Sequence, residues 1–230
     1  MGLFLMMSGV IGSEPSNVHN ALRAYAEQKS IMFELKDTTD KPGTPGIGII
    51  SQNNQNITVL YPEDFSDWDE ASQFISKYLS KPVFSLHIHD GDLWMYILFN
   101  NGQEADWFNP LPEYWEKLPE NEKDKWKGNA ERVAQLIPSV SADAIKKYLV
   151  EWDLKQEKEG MKAYPDDEFA KYDCWQVVDF MKKTGLKYPD GDEIPCETFY
   201  LGKKPKFNPT SKKTISNEKK PSKKPWWKIW

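Results

Sequence analysis

Apolar residues recur along the first part of the chain with two different periods, and each period predicts a different element. Residues 1–12 form a mostly apolar run that predicts a first buried strand. The run lacks a basic start and is too short to span a bilayer, so a signal peptide or membrane anchor is not expected. From Val18 the apolar positions recur after three, four, seven and eight residues, which predicts one face of a helix. His19 lies off that face and is interpreted as a solvated residue.

Shorter apolar runs, bounded by turn residues, predict further strands. Three of them precede a second helix that is capped near Asp67, and one follows it. The four predicted strands are residues 31–37, 46–51, 56–62 and 82–89. The apolar side of the second helix consists of Trp68, Ala71, Ile75, Tyr78 and Leu79. This order predicts an α+β fold with a ferredoxin-like β-α-β-β-α-β sheet and an added β-meander.

The second half of the chain has a different pattern, in which stretches rich in proline and charged residues alternate with stretches of helical periodicity. Helices are predicted over residues 128–137, over 141–152 and from Asp167 to a stop at Gly185. The predicted organisation is an α+β sheet domain, a helical region packed on it, and a disordered lysine-rich tail that ends in PWWKIW. These three parts cover residues 1–117, 118–202 and 203–230.

Residues 87–92 read HIHDGD and combine two of the three histidines with two carboxylates. Asp90-Gly91 is a strong signal for a two-residue hairpin turn, which places His89 opposite Asp92 as a mild ion pair. This register gathers the apolar residues of both strands on one face, and a slip of one residue would mix the faces. The alternative is a metal or acid–base site on the two histidines, whose spacing suits chelation. No nearby histidine or cysteine offers a third ligand.

The predicted register leaves Trp94 and Tyr96 on the face opposite the core, beside His87 and His89. Two interpretations follow. Either the C-terminal helices cover these rings, or the rings form an exposed aromatic surface that binds a protein partner. Trp94 and Tyr96 are therefore candidate binding residues.

Charge is distributed unevenly along the chain. From Lys203 onward there are ten lysines and one acidic residue, Glu218, so this segment carries +9. Because the whole chain carries −5, residues 1–202 carry −14. An acidic body attracts basic proteins and repels nucleic acid, so a basic protein partner is expected. The two cysteines, Cys174 and Cys196, do not form a disulfide framework in a chain of this length, which favours reduced thiols and a cytoplasmic location.

Residues 203–230 contain Lys, Pro and Ser in place of core residues, which predicts disorder. A segment with no core to fill has no folding reason to contain three closely spaced tryptophans. We interpret it as a docking peptide in which Trp226, Trp227 and Trp230 anchor and Lys228 adds charge. The expected target is a protein groove or an anionic membrane surface, which would make the protein peripheral to a membrane. The alternative is a segment that folds back on the acidic body.

Residues 173–189 read DCWQVVDFMKKTGLKYP and resemble the nucleophile segment of the NlpC/P60 cysteine hydrolases, in which an Asp-Cys pair opens a helix. The resemblance implies that a thiolate at Cys174 would act with a histidine. That family places its histidine after the cysteine. Here only a permuted arrangement with His87 or His89 would complete the pair. The helix predicted from Asp167 instead buries Cys174 as a small apolar residue.

The run DGDLWMYILFNNGQEADWFNPLPEYW and the following GNAERVAQLI resemble a group of uncharacterised bacterial proteins with no known activity. These proteins share the D-G-D hairpin, the N-P and Y-W turn and the GNAERV-type helix start. The resemblance implies a bacterial cytoplasmic setting. No P-loop, G-x-G-x-x-G, G-x-S-x-G or C-x-x-C occurs, so no catalytic residue, metal or cofactor is predicted. The first hypothesis is a non-enzymatic interaction protein whose acidic body captures a basic protein, as immunity-type inhibitors of toxins do, and the alternative is the cysteine hydrolase.

Overall fold

The apolar runs become the strands of one sheet in the structure, a computed structural model that describes residues 2–36, 44–153, 160–189 and 196–203. In these residues eight strands pair antiparallel in the order β2-β8-β3-β4-β1-β5-β6-β7. The strands are β1 (Leu5–Val10), β2 (Met32–Lys36), β3 (Ile47–Asn53), β4 (Asn56–Leu60), β5 (Val83–His89), β6 (Leu93–Asn100), β7 (Gln103–Phe108) and β8 (Cys196–Gly202). The helices are α1 (Pro15–Gln28), α2 (Trp68–Leu79), α3 (Glu120–Lys123), α4 (Ala130–Leu136), α5 (Ala142–Ile145) and α6 (Gln176–Lys183), and a 3₁₀ helix at Asp124–Trp126 follows α3.

The α+β class is confirmed by this combination of an antiparallel sheet with helices. Helices α1 and α2 pack on one face of the sheet, and α4, α5 and α6 pack on the other. Each face is therefore buried under its own apolar cluster, and the strands near the centre are buried on both sides. The strand order does not confirm the ferredoxin-like topology.

The helical periodicity in the first half of the sequence correctly predicts helices α1 and α2. Every residue of the predicted apolar face of α1 is buried: Val18, Ala21, Leu22, Tyr25 and Ala26. Helix α2 begins at Trp68, one residue after the predicted cap, and buries Ala71 and Ile75. Tyr78 was expected on the same side, but it is 51% exposed.

The sequence predicts a continuous helix from Asp167, and the structure confirms only its second half, because α6 begins at Gln176. The reason is a buried carboxylate. Asp179 is 2% exposed and accepts the backbone N–H groups of Glu168 (3.0 Å) and Phe169 (2.8 Å). These residues therefore lie beside α6 and satisfy its buried aspartate instead of extending the helix.

The region 118–202, predicted to be helical, ends in a strand. Strand β8 lies between β2 and β3, so the last described part of the chain completes the sheet formed by the first part. Its Glu197 lies opposite α1, where Glu197 Oε2 is 2.7 Å from His19 Nε2. The His19 side chain is 13% exposed and pairs with this strand, whereas the sequence predicts a solvated residue.

The β5–β6 hairpin forms as predicted, but its register differs by one residue. His89 pairs with Leu93, not with Asp92, because the loop contains three residues and Asp92 N donates to His89 O at 2.9 Å. Asp90 and Gly91 both have positive φ, at 55° and 77°. The additional loop residue turns each side chain of β6 to the face opposite the predicted one.

Candidate functional site

The loop between β5 and β6 is held against the residues that precede β1. Gly91 N donates a hydrogen bond to Leu3 O at 2.9 Å. A Cβ atom on Gly2 would lie 1.4 Å from Asp90 Oδ1, so only glycine permits this approach. The contact places Phe4 beside the histidines of β5.

His87 is a buried histidine with defined partners on β1, β5 and α2. Its Nδ1 lies 3.1 Å from Leu5 O, and its Nε2 lies 3.3 Å from His89 Nδ1. The Trp68 ring stacks on it with centroids 4.7 Å apart. Burial, followed by the neighbouring His89, lowers the pKa of His87 to about 4. His87 is therefore neutral at neutral pH.

Three exposed aromatic rings surround His89. Phe4 is 41% exposed, Tyr114 38% and Trp115 55%. Their ring centroids lie 5.1, 5.7 and 5.0 Å from that of His89, and each ring is nearly perpendicular to it. We name these four residues, Phe4, His89, Tyr114 and Trp115, the aromatic patch. It is a contiguous exposed aromatic surface built from three separate parts of the sequence.

The turn after β7 positions the outer half of the aromatic patch. Asn109 is 4% exposed, and its Oδ1 accepts the Leu111 N–H at 2.9 Å. Tyr114 N donates to Leu111 O at 2.9 Å, which closes the turn. The Tyr114 hydroxyl donates to Asp92 Oδ2. The Y-W turn is therefore fixed to the β5–β6 loop by a hydrogen bond to a charged acceptor.

Two carboxylates border the aromatic patch. Asp90 and Asp92 are both exposed in the loop. The hydrogen bond to Asp92 raises the pKa of Tyr114, and the charge of Asp90 contributes in the same direction. The Tyr114 phenol is therefore protonated at neutral pH. The carboxylates of Asp90 and Asp92 give this aromatic surface a negative electrostatic potential.

Trp94 and Tyr96, predicted as candidate binding residues, lie in the core. They are 0% and 1% exposed and contact Phe180 of α6, with Tyr96 stacked on it at a centroid distance of 5.3 Å. The one-residue difference in register turns both rings toward α6. The interpretation in which C-terminal helices cover them is therefore the one that the structure shows, and a partner has no access to either ring in this fold.

The cysteine and histidines of the hydrolase interpretation are not brought together. Cys174 is 5% exposed and lies in the cluster beneath α6, while His87 stacks on Trp68 of α2, on the other face of the sheet. Burial, followed by the charge of Asp173, raises the pKa of the Cys174 thiol to about 12. The thiol precedes α6 by two residues but stays protonated, so it lacks the thiolate on which cysteine hydrolysis depends.

The predicted ion pair between His89 and Asp92 does not form. His89 contacts aromatic rings and His87, while Asp92 accepts the Tyr114 hydroxyl. Among the described residues, no three His, Cys, Asp or Glu side chains are grouped as a metal site.

An open cleft of about 740 Å³ lies between β7 and the 3₁₀ helix. Asp106, one of the carboxylates that line this cleft, already has structural partners. Asp106 Oδ2 accepts the Tyr96 hydroxyl at 2.6 Å and the Asn129 N–H at 3.0 Å. This carboxylate joins β6, β7 and the start of α4, which is a structural role.

The candidate docking residues Trp226, Trp227, Lys228 and Trp230 lie outside the described residues. In the part of the chain that the structure describes, none of the helices has the length and apolar character needed to cross a bilayer.

Comparisons with known proteins give no match among family models, curated proteins or solved structures. Sequence reasoning missed Phe4, Tyr114 and Trp115. The signal for two of them was present in the Tyr114-Trp115 pair, which follows two prolines in a stretch without helical periodicity.

Proposed function

We propose that this protein is a non-enzymatic interaction protein whose acidic body captures a basic protein partner. The observation that carries the proposal is the aromatic patch, with Asp90 and Asp92 at its border. Large exposed rings reduce solubility, and a contiguous group of them is typical of a binding surface. The patch rests on fixed hydrogen bonds, so it is ordered before a partner arrives.

The composition of the patch suits a basic partner in two ways. Tyrosine and tryptophan supply large contact area with few rotatable bonds, and they dominate binding energy at many interfaces. The −14 charge of residues 1–202 attracts a positively charged protein and increases its association rate. Immunity-type inhibitors of bacterial toxins use this combination, and the comparison is an analogy of surface chemistry alone.

The Lys/Trp segment, residues 203–230, provides a second contact in this proposal. Trp226, Trp227 and Trp230 anchor it, and Lys228 with the other lysines directs it to a protein groove or an anionic membrane surface. Nucleic acid is a poorer target, since the segment contains no arginine for bidentate recognition.

The proposal is tested by capture of a partner in the native cell, with cross-linking and mass spectrometry on tagged full-length protein. We expect a protein of positive net charge to co-purify with the wild type and to be lost with Trp115→Ala. The matched control is Tyr78→Ala, which removes another exposed ring, 51% exposed, near the end of α2. Equal capture by Trp115→Ala and the wild type, or capture of acidic proteins only, would contradict the proposal.

A further inference from the structure

The hydrogen bonds of the two histidines determine which of their ring nitrogens carries a hydrogen. The carbonyl oxygen of Leu5 can only accept, so His87 Nδ1, 3.1 Å away, is the donor. A neutral imidazole has one N–H, and burial keeps His87 neutral by lowering its pKa to about 4. His87 Nε2 therefore has a lone pair, and it accepts a hydrogen bond from His89 Nδ1 at 3.3 Å.

In the neutral form of His89, the second bond leaves one ring nitrogen as a free acceptor. A neutral His89 that donates through Nδ1 has its lone pair on Nε2. None of the hydrogen bonds among the described residues uses this nitrogen. His89 is half-buried and lies between the rings of Phe4, Tyr114 and Trp115. With His89 neutral, the aromatic patch therefore contains a hydrogen-bond acceptor whose position is fixed by the hydrogen bonds that run from Leu5 through His87 to His89.

We propose that the aromatic patch binds an arginine side chain of the basic partner. In this arrangement the guanidinium group lies against the exposed rings and donates hydrogen bonds to His89 Nε2 and to the carboxylates of Asp90 and Asp92. The assignment rests on the proposed function, because it names the side chain through which that partner is recognised.

Arginine fits this set of groups better than lysine does. A guanidinium ion is planar and weakly hydrated, so it stacks on aromatic faces, and its five N–H donors point in fixed directions. The patch offers rings together with several separate acceptors, and Asp92 keeps one oxygen that the Tyr114 hydroxyl does not occupy. A lysine ammonium group is compact and strongly hydrated, and it makes less use of such a surface. The Lys/Trp segment contains ten lysines and no arginine, so this segment cannot supply the arginine of the assignment.

The test uses the full-length chain with nitrogen-15-labelled histidine and three short capped glycine peptides. The peptides are identical except for one central residue, which is arginine, lysine or citrulline, the last being a neutral isostere of arginine. Without peptide, the ring nitrogen shifts should identify both His87 and His89 as Nδ1–H tautomers. With the arginine peptide, the His89 Nε2 signal should move, and the dissociation constant should be about tenfold lower than with either other peptide.

Two variants separate the acceptor from the rings. His89→Phe keeps a ring but removes the acceptor, and we expect it to weaken binding of the arginine peptide. Trp115→Ala removes an exposed ring and should weaken binding of the arginine peptide, while Tyr78→Ala should bind like the wild type. Equal binding of the arginine and citrulline peptides, equal binding of the arginine and lysine peptides, or an Nε2–H tautomer at His89 would overturn the assignment.

The outcomes also separate this assignment from the proposed function. If a basic partner is captured through Trp115 but the arginine peptide is not preferred, the proposed function stands and the arginine assignment fails. If the arginine peptide is preferred but no basic partner is captured, the binding site stands and the proposed function fails.

Discussion

The indole of Trp68 stacks on the imidazole of His87, with ring centroids 4.7 Å apart and planes inclined by 19°. This contact and the surrounding strands leave His87 only 6% exposed, and burial lowers its pKa from 6.5 to about 4. The unfolded chain therefore takes up a proton more readily than the folded chain does. The contribution of His87 to folding is complete above about pH 6.5 and is lost as the pH falls toward about 4.

We expect this loss to be on the order of 3 kcal/mol in the free energy of unfolding. It is measured by urea denaturation of the wild type and of His87→Phe between pH 4 and pH 7. The comparison with the variant is needed because burial raises the pKa of Asp69 and of Asp106. A raised carboxyl pKa has the opposite effect, since it favours the folded state as the pH falls. Parallel curves for the two proteins would show that His87 does not titrate as the structure indicates.

Cys174 should be unreactive in the native protein. Its thiol is buried, and its pKa is raised to about 12, so almost no thiolate is present at neutral pH. We expect a thiol reagent at neutral pH to modify Cys174 only after denaturation, with mass spectrometry to locate the label. Cys196, which is partly exposed, serves as the internal comparison. Rapid native labelling confined to Cys174 would restore the cysteine hydrolase hypothesis.

Local sequence patterns predicted the elements that depend on residues close together in the sequence. The apolar face of α1 follows from a period of 3.6 residues, and all five of its residues are buried. The hairpin register did not follow, because the residues Asp90, Gly91 and Asp92 suit a loop of two residues or of three. The larger loop is the one that buries Trp94 against Phe180, and Phe180 is distant in sequence.

The candidate site depends on contacts between distant parts of the chain. Phe4, His89 and Trp115 become neighbours only because β1 pairs with β5 and the turn after β7 folds back over the loop. No periodicity in the sequence encodes that approach. Strand β8 was missed for a related reason, since its place between β2 and β3 is decided by two strands far away in sequence. The charge asymmetry, in contrast, follows directly from the positions of the charged residues in the sequence.

Gly185 and Gly160 form a matched pair that measures how much a close contact of an added Cβ atom costs in stability. Both have positive φ, at 78° and 77°, so alanine is strained at either position. A Cβ on Gly185 would lie 2.7 Å from Asn56 Nδ2, whereas a Cβ on Gly160 would meet nothing within 4 Å. Asn56 also donates to Gly185 O at 2.9 Å.

We expect Gly160→Ala to cost about 1 kcal/mol in the free energy of unfolding, from backbone strain alone. Gly185→Ala should cost more, because the amide of Asn56 must move and its hydrogen bond is weakened. Urea unfolding of both variants measures the difference. Equal costs would mean that Asn56 adapts freely and that its contact does not fix the end of α6.

The Lys/Trp segment should bind its target through both charge and indole rings. We expect replacement of Trp226, Trp227 and Trp230 by alanine to remove most of the recruitment of the full chain to its target, while high salt weakens the binding of the wild type without abolishing it. Co-sedimentation with vesicles that contain anionic lipid, compared with neutral vesicles, tests the membrane surface as that target. Recruitment of the triple variant at the level of the wild type would show that the tryptophans do not dock.

Trp94 and Trp115 have the same side chain in opposite environments, at 0% and 55% exposure, and this difference distinguishes a core ring from a ring of the proposed binding surface. Trp94→Ala removes a ring packed on Phe108 and Phe180, and we expect a cost of about 3–5 kcal/mol. Trp94→Phe should cost less, since the buried Trp94 Nε1 has no hydrogen-bond partner among the described residues and its removal sacrifices no bond.

Trp115→Ala should change the free energy of unfolding by no more than about 0.5 kcal/mol, because most of this ring is in contact with solvent. Urea unfolding of the three variants measures these costs, and partner capture is measured on the same proteins. If the proposed function holds, stability and capture respond to different tryptophans: we expect Trp94→Ala to lower stability and Trp115→Ala to remove capture from a chain that is still folded. If Trp115→Ala unfolds the protein as Trp94→Ala does, the ring stabilises the turn after β7 and is not available to a partner.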